Sequence, residues 1–193
     1  MDRDVAVLSS LVDDLFLLSR LEEGSVEMER GPIDITELAD EAIEMLTPVA
    51  VSAEVQLELV ADLRVVAVGG SEAVSRVLRN LLDNAIEATD APGRVEVSAA
   101  KNNGSLQIAV ADTGSGIPAE AKEKLFLPHF STKRRGTGLG LAIVDNLMRL
   151  HGGTVRIESE EGFGTTVRLL FPADIVVPQS SGQPTLTVVA SRT

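Results

Sequence analysis

The chain has 193 residues, 44% of them apolar, and a formal net charge of −12. That apolar content is enough for one core of ordinary size and excludes a disordered protein, while the acidic balance excludes nucleic acid or an anionic membrane as the main partner, since either needs a dominant basic face. The absence of cysteine excludes a disulfide framework, a thiolate nucleophile and a zinc–thiolate site.

No apolar run approaches the roughly twenty residues that span a bilayer, and no basic-then-apolar signal opens the chain, so it reads as soluble and cytoplasmic, with no membrane segment. It could still be the interior piece of a longer, membrane-anchored protein. With aromatics at 3% and no Trp or Tyr, the core must be built from Val, Leu, Ile and Ala.

In chain order, Val5, Leu8, Leu11, Val12, Leu15, Leu18 and Leu21 recur at the three-and-four spacing of an amphipathic helix, which Gly24 stops. The polar stretch EEGSVEMERGPID reads as a connection. It leads to a second helix, capped by Asp34 or Thr36, running to about Leu46 and ended by Pro48. Val55 to Val60 and Val65 to Val68 alternate as strands, with Asp62 in the turn between them.

Ser71 and Glu72 open a long helix whose buried face is Val74, Val77, Leu78, Leu81, Leu82, Ala85 and Ile86. Arg94 to Ala100 and Leu106 to Asp112 form a hairpin around KNNGS, and Thr154 to Glu158 and Thr165 to Phe171 a second one around EEGFG. Between the hairpins, Pro118 opens a helix, and Leu139, Ile143, Leu147 and Leu150 stripe a longer one that His151, Gly152 and Gly153 end. Beyond Pro172 the chain is rich in Pro, Ser, Gln and Thr. Its β-prone run Leu186 to Val189 reads either as part of a mobile tail or as an added edge strand. The fold class that follows is α+β: one mixed sheet with helices on one face, and the opening helix a separate element.

The stretch DTGSGIPAEAKEKLFLPHFSTKRRGTGLGLAI, Asp112 to Ile143, concentrates the chemistry. Gly114 and Gly116 follow Asp112 at alternate positions, which allows a sharp turn after a strand and a close approach of backbone to a flat ligand. Gly136, Gly138 and Gly140 precede a helix N-terminus, whose unpaired N–H groups and positive dipole end suit phosphate, and Lys133, Arg134 and Arg135 lie just upstream. Asn80 and Asn84 are one turn apart on the long helix. They read either as capping amides or as a site in which a carboxamide oxygen serves Mg²⁺. Asp112 reads either as a cap on its turn or as a carboxylate facing a pocket, and the three cations either as a solvated loop face or as phosphate ligands. Glu87, His129 and His151 read as solvated or structural residues. No Walker-type phosphate loop, dinucleotide fingerprint or H-E-x-x-H is present, so any phosphate must be held by another geometry.

RNLLDNAIEA (Arg79 to Ala88), DTGSGIP (Asp112 to Pro118), LFLPHFSTK (Leu125 to Lys133) and GTGLGLAIV (Gly136 to Val144) resemble the N, G1, F and G2 boxes of sensor histidine kinases, in that order and spacing. The resemblance covers about Pro32 to Pro172. It implies that family's catalytic ATP-binding domain, the Bergerat-type two-layer α/β sandwich shared with DNA gyrase, heat-shock chaperone and mismatch-repair ATPases. LVDDLFLLSRLEEG resembles the end of the second helix of the dimerisation and phosphoacceptor hairpin that precedes such a domain. The implied division is 1–24 for the partial hairpin helix, 25–172 for the catalytic domain and 173–193 for a tail.

By position, the resemblance implies that Asn84 holds the Mg²⁺ bridging the ATP phosphates, with Asn80 supporting the phosphate side. It makes Asp112 the acceptor of the adenine amino hydrogen, with Gly114 and Gly116 letting the base lie close and Thr165 on the adenine side. Phe126, Phe130, Thr132, Lys133, Arg134 and Arg135 fall in the lid, and the amides of Gly136, Gly138, Leu139 and Gly140 cradle the phosphates. Where the family often carries Lys or Arg, this chain has Glu87, and the candidate substitutes are Lys133 or the two arginines after it. The acceptor histidine belongs on the hairpin's first helix, upstream of this chain, so the expected partners are ATP, that missing hairpin, a cognate response regulator and, in full length, a second copy. Two rival readings are a gyrase-like ATP hydrolase and a nucleotide-gated interaction module. The hydrolase reading is opposed by Asn80, which stands where those relatives carry a water-activating glutamate.

Overall fold

The apolar stripes of the helices and the buried phases of the strands meet in one layer in the computed structural model, which describes residues 2–61, 65–102, 105–131, 136–172 and 186–190. The elements are α1 (Asp2–Glu22), β1 (Gly31–Asp34), α2 (Ile35–Ser52), β2 (Val55–Ala61), β3 (Val66–Gly69), α3 (Ser71–Ala88), β4 (Gly93–Asn102), β5 (Ser105–Asp112), α4 (Ala119–Lys122), α5 (Gly140–Leu150), β6 (Thr154–Glu160), β7 (Gly164–Phe171) and β8 (Leu186–Ala190). The main sheet runs β6-β7-β5-β4-β2-β8, with β1 and β3 forming a separate two-stranded ribbon. Only β2 and β4 pair in parallel, so the sheet is mixed, as expected.

Strand register explains which face is covered. Leu59, Val97, Val110, Val167 and Ile157 fall on one row, and Ala61, Ala99, Ile108, Leu169 and Val155 on the next. Successive residues alternate faces, so these rows share one side of the sheet. That side carries the core, on which α2, α3 and α5 lie. The opposite side is polar, with Arg94 near Glu58 and Glu96, and Arg168 donating from Nε and Nη2 to Glu158 at 3.2 and 3.1 Å.

The buried face of α3 is the seven residues the periodicity singles out. Each such aliphatic side chain withdrawn from water contributes roughly 1.5–3 kcal/mol, so this helix is fixed to the sheet by burial rather than by its weak capping at Gly70, which offers no side-chain acceptor.

Several expectations need correction. Pro48 does not end α2, which continues to Ser52 with Pro48 inside it. The Thr47 hydroxyl donates to Ile43 O at 2.8 Å and the Ser52 hydroxyl to Pro48 O at 2.8 Å, and burial of Ala50 holds the last turn on the core. Asp34 is the cap, accepting from the Thr36 and Glu37 amides at 3.0 and 3.2 Å, while the Thr36 hydroxyl accepts from Val65 N at 3.1 Å. Residues 31–34, read as connection, are a strand paired with β3, so β2 and β3 serve different sheets. Residues 62–64, including the expected turn at Asp62, lie outside the described residues.

The opening helix is not a separate element either. Leu18 and Leu21 are buried in the core, Asp14 makes an ion pair with Arg76 of α3, and α1 lies against α5. Leu8, Val12, Leu15 and Phe16 stay exposed farther up the helix. Of the tail, residues 186–190 form an edge strand antiparallel to β2. No helix among the described residues is long and apolar enough to cross a membrane.

Candidate functional site

The core face of the sheet turns polar at one end. The final register pairs there place Val95 beside Asp112, Asp112 beside Thr165 and Thr165 beside Ser159. A carboxylate and two hydroxyls thus continue a face that is otherwise apolar along β5, β7 and β6. A cavity of about 300 Å³ opens against them, walled by Asn84, Glu87 and Ala88 of α3, Ser115 and Gly116 of the following loop, and the apolar Leu125, Leu141 and Ile157.

Asp112 is engaged on the protein side. Its Oδ1 accepts from Gly114 N at 2.9 Å and from Thr165 N at 3.1 Å, which closes the turn and locks it to β7. The glycines after it are required by neighbouring backbone. A β-carbon on Gly114 would lie 2.2 Å from Ala88 O, and one on Gly116, whose φ is +69°, 2.0 Å from Glu160 O. The loop is therefore wedged between the end of α3 and the β6–β7 hairpin, and Ser115 ties it to both. Its amide donates to Ala88 O at 3.1 Å, and its carbonyl accepts from Gly162 N at 2.7 Å.

Ser159 was not singled out from sequence. Its hydroxyl accepts from Ile117 N at 2.9 Å, donates to Gly164 O at 2.9 Å and lies 3.0 Å from the Thr165 hydroxyl. The signal was present in the sequence: in Val155, Ile157, Ser159 the buried phase of a strand changes from aliphatic to hydroxyl, and such an inward polar group calls for partners.

The other end of the site is built by α3 and α5. No side chain caps the N-terminus of α5. Its first residue, Gly140, faces the two asparagines: a methyl there would stand 3.5 Å from Asn84 Nδ2 and 3.7 Å from Asn80 Oδ1. Among the described residues, Asn80 Nδ2 is buried without a hydrogen-bond partner. A buried amide donor left unmade costs about 1–3 kcal/mol; nearest the start of α5 are Asn84 Nδ2, a donor, and Asn80 Oδ1, an acceptor, and that donor together with the N–H groups of the helix end suits an anionic oxygen. The donor set therefore fits a phosphate. The Asn84 carboxamide on the cavity wall suits a hard cation held mainly by water and ligand oxygens, and no cluster of three acidic or histidine side chains exists among the described residues to hold a metal by protein alone.

Of the residues expected at the site, Asn84, Asp112, Gly116 and Thr165 line the cavity. Asn80 and Gly140 adjoin Asn84, and Gly114 is tied to Asp112. Leu139 is buried in the core, and its amide donates to the Thr137 hydroxyl at 3.3 Å. Gly138, at φ +69°, lets the G2 segment pass the backbone of His129 and Phe130, where a β-carbon would come within 2.5 Å. Phe126 and Phe130 are half-buried and Gly136 is exposed, and none of the three lines the cavity. Thr132, Lys133, Arg134 and Arg135 lie outside the described residues.

Glu87 is exposed, on the cavity wall. His129 is exposed, and His151 is structural. The latter's Nδ1 lies 2.8 Å from Leu147 O, its Nε2 accepts from Gly70 N at 3.2 Å, and its ring meets Phe171 edge-on at 5.7 Å. Burial, and secondarily the charge of Arg30, hold its pKa below the ordinary imidazole value, against the opposing pull of the Leu147 carbonyl.

Residues 69–175 match the family described as histidine kinase-, DNA gyrase B- and HSP90-like ATPase. Among curated proteins, the sensor histidine kinase ZraS of Escherichia coli K12 is 35% identical over 151 residues, 78% of this chain and 32% of its own. The histidine protein kinase DivJ of Caulobacter vibrioides is 37% identical over 186 residues, 92% of this chain and 31% of its own. The chain thus spans about a third of the length of these relatives. Among solved structures, full-length ShkA in complex with AMPPNP superposes with a TM-score of 0.82 at 28% identity, covering 90% of this chain and 37% of that one. The catalytic domain of the histidine kinase ThkA, in a nucleotide-free form, gives a TM-score of 0.70 at 30% identity, covering 76% of this chain and 97% of that one.

Proposed function

The chain belongs to the histidine kinase-, DNA gyrase B- and HSP90-like ATPase family, and on that footing we propose that it is the catalytic, ATP-binding portion of a two-component sensor histidine kinase. In the whole protein it moves the γ-phosphoryl of Mg-ATP to a histidine upstream of this chain. The observation that carries this reading is a cavity lined by Asp112, a carboxylate fixed at the sheet end, and by Asn84, beside which α5 starts without a side-chain cap. One end suits a base with an exocyclic amino group, the other a polyphosphate. The naming of ZraS and DivJ as kinases, and of ShkA as crystallised with AMPPNP, supports the same choice.

In this reading Asp112 accepts the adenine amino hydrogen and Thr165 lies on the same edge. Ala88, Leu125, Leu141 and Ile157 exclude water from the base. Asn84 would hold Mg²⁺, and Asn80 with the first amides of α5 would hold phosphate oxygen. Lys133, Arg134 and Arg135 neutralise the triphosphate in place of the cation that Glu87 lacks. The metal supplies charge neutralisation across the phosphates. The protein supplies position, which is most of what phosphoryl transfer requires. Residues 1–24 are the end of a phosphoacceptor hairpin and 25–172 the catalytic domain, and from the tail 173–193 a strand is added to that domain's sheet. A response regulator, the rest of the hairpin and a second copy are the protein partners.

His151 cannot be the acceptor, because it is buried with both ring nitrogens engaged. The test is transfer in trans. The chain, given γ-labelled ATP and magnesium, should leave itself unlabelled and should label a separate hairpin of a complete sensor kinase on its histidine, with an acid-labile product. Label retained on His129 of this chain, or release of inorganic phosphate at the same rate with and without a hairpin, would contradict the proposal and favour the hydrolase.

A further inference from the structure

Base recognition in this cleft depends on where Asp112 and Thr165 are held, and both stand at a seam between three separate segments. Asp112 ends β5, Thr165 lies near the start of β7, and the loop through Gly116 crosses between them and α3. Nothing covalent sets the position of that loop against the β6–β7 hairpin.

The group that joins them is the Ser159 hydroxyl. It accepts from the loop's Ile117 amide at 2.9 Å, donates to the Gly164 carbonyl at 2.9 Å, and lies 3.0 Å from the Thr165 hydroxyl. With its own proton given to Gly164, the hydroxyl has only lone pairs left for Thr165. The Thr165 hydroxyl must then donate toward Ser159, which fixes its rotation on the wall of the cavity that Thr165 lines. The Ser159 carbonyl meanwhile accepts from Lys122 Nζ at 2.5 Å, which ties α4 to the same point. Gly116 and Gly164 permit the close packing, each with a positive φ and a carbonyl, of Glu160 and of Asp112, about 2 Å from where a β-carbon would stand.

We propose that Ser159 is a positioning residue for base specificity: through Ile117 and Thr165 it sets the loop and the hydroxyl orientation with which the Asp112 edge of the cavity distinguishes an amino group from a carbonyl on a purine. This rests on the nucleotide reading above and deepens it. Ser159 does not line the cavity and acts only through the two groups it holds.

The consequence differs from that of a merely structural hydroxyl. Loss of a structural contact would weaken every purine nucleotide alike, whereas loss of orientation should weaken ATP and spare GTP. Ser159→Ala should lower ATP affinity roughly three- to tenfold, the scale of one or two net hydrogen bonds, narrow the ATP-to-GTP ratio by a similar factor, and remove hydrogen-exchange protection at the Ile117 amide. Ser159→Thr keeps the hydroxyl in a strand that favours β-branching, and should restore both the ratio and the protection.

Calorimetry of the full chain with Mg-ATP and Mg-GTP, on wild type and both variants, decides the matter. An unchanged ratio in Ser159→Ala, or a ratio in Ser159→Thr no better than that of the alanine variant, would overturn the role of Ser159 while leaving the nucleotide site standing. A wild type that binds neither nucleotide would overturn the nucleotide reading itself, and this one with it.

Discussion

The two ends of the cavity are built in opposite ways. At the sheet end, Asp112, Thr165, Ser159 and the Gly114–Gly116 loop are knit by hydrogen bonds of 2.9 to 3.1 Å, and the glycines sit against backbone with no room for a methyl group. At the helix end, α5 starts without a cap, a β-carbon on Gly140 would meet two asparagines only at ordinary contact distance, and among the described residues Asn80 Nδ2 has no acceptor. The first end has its hydrogen bonds made within the protein, and under the proposed function an anion would complete the second. A base is recognised by fixed edges, where looseness costs specificity. A triphosphate can supply the acceptors that its own site lacks, and ligand binding is then what stabilises that end.

Substitutions at the two ends should therefore behave differently. The largest effect is expected from Asp112→Ala, which removes the proposed base acceptor and leaves the Gly114 and Thr165 amides without theirs. Nucleotide binding should lose roughly 1.5–3 kcal/mol, about tenfold or more, with discrimination against GTP, and thermal stability should fall as well. Calorimetry and a melting curve on the same sample check both. If the wild type already bound ATP and GTP alike, the sheet end would not be a base template.

Asn84→Ala should leave the fold and the magnesium-free affinity for ADP close to wild type while abolishing nearly all of the gain that magnesium brings. Titrations with and without the metal measure it, and equal magnesium dependence in both proteins would remove Asn84 from the site.

Gly140→Ala sharpens the comparison because its two effects have opposite signs. A methyl group there meets only ordinary contacts at 3.5 Å and beyond. Alanine should stabilise the empty protein by about 0.4–1 kcal/mol through the unfolded chain, yet weaken nucleotide binding severalfold by filling the space left for phosphate. Parallel changes in melting temperature and affinity would argue against an open anion seat.

The smallest effect concerns pH, and lies away from the cavity. Because His151 is held neutral and its pKa is lowered in the fold, the unfolded chain takes up a proton before the folded one does. Its contribution to stability is complete above about pH 6.5, the ordinary imidazole value, and declines as pH falls below it. Denaturant midpoints across that range should drop toward acid, and His151→Asn should flatten the drop.

How much of this was legible in the sequence follows from how local each feature is. The seven buried residues of α3 could be read because helical period and burial coincide within one element. Both hairpins could be read for the same reason, their partners being neighbours in the chain. The parallel pairing of β2 with β4 could not, because it joins strands separated by all of α3. Gly31–Asp34 gives no alternation to read, and Pro48 gave a stop signal that the burial of Ala50 overrides. At the site, motif residues were legible one by one, but the contact of Gly140 with Asn80 and Asn84 and the clasp at Ser159 are tertiary facts. The docking of α1 through Leu18, Leu21 and the Asp14–Arg76 pair is another, since an amphipathic stripe says that a partner exists and not which one.

A purine at the Asp112 end and its phosphates at the start of α5 is a placement that amide NMR on the isotopically labelled chain reads residue by residue. On titration with Mg-ADP, large shifts are expected at Gly114, Thr165, Gly140, Leu141 and the Asn80 side-chain amide, with none at Glu58, Glu96 or Arg168 on the outer face of the sheet. Saturating shifts that bypass the Asn80 side chain and the first turn of α5 would contradict it.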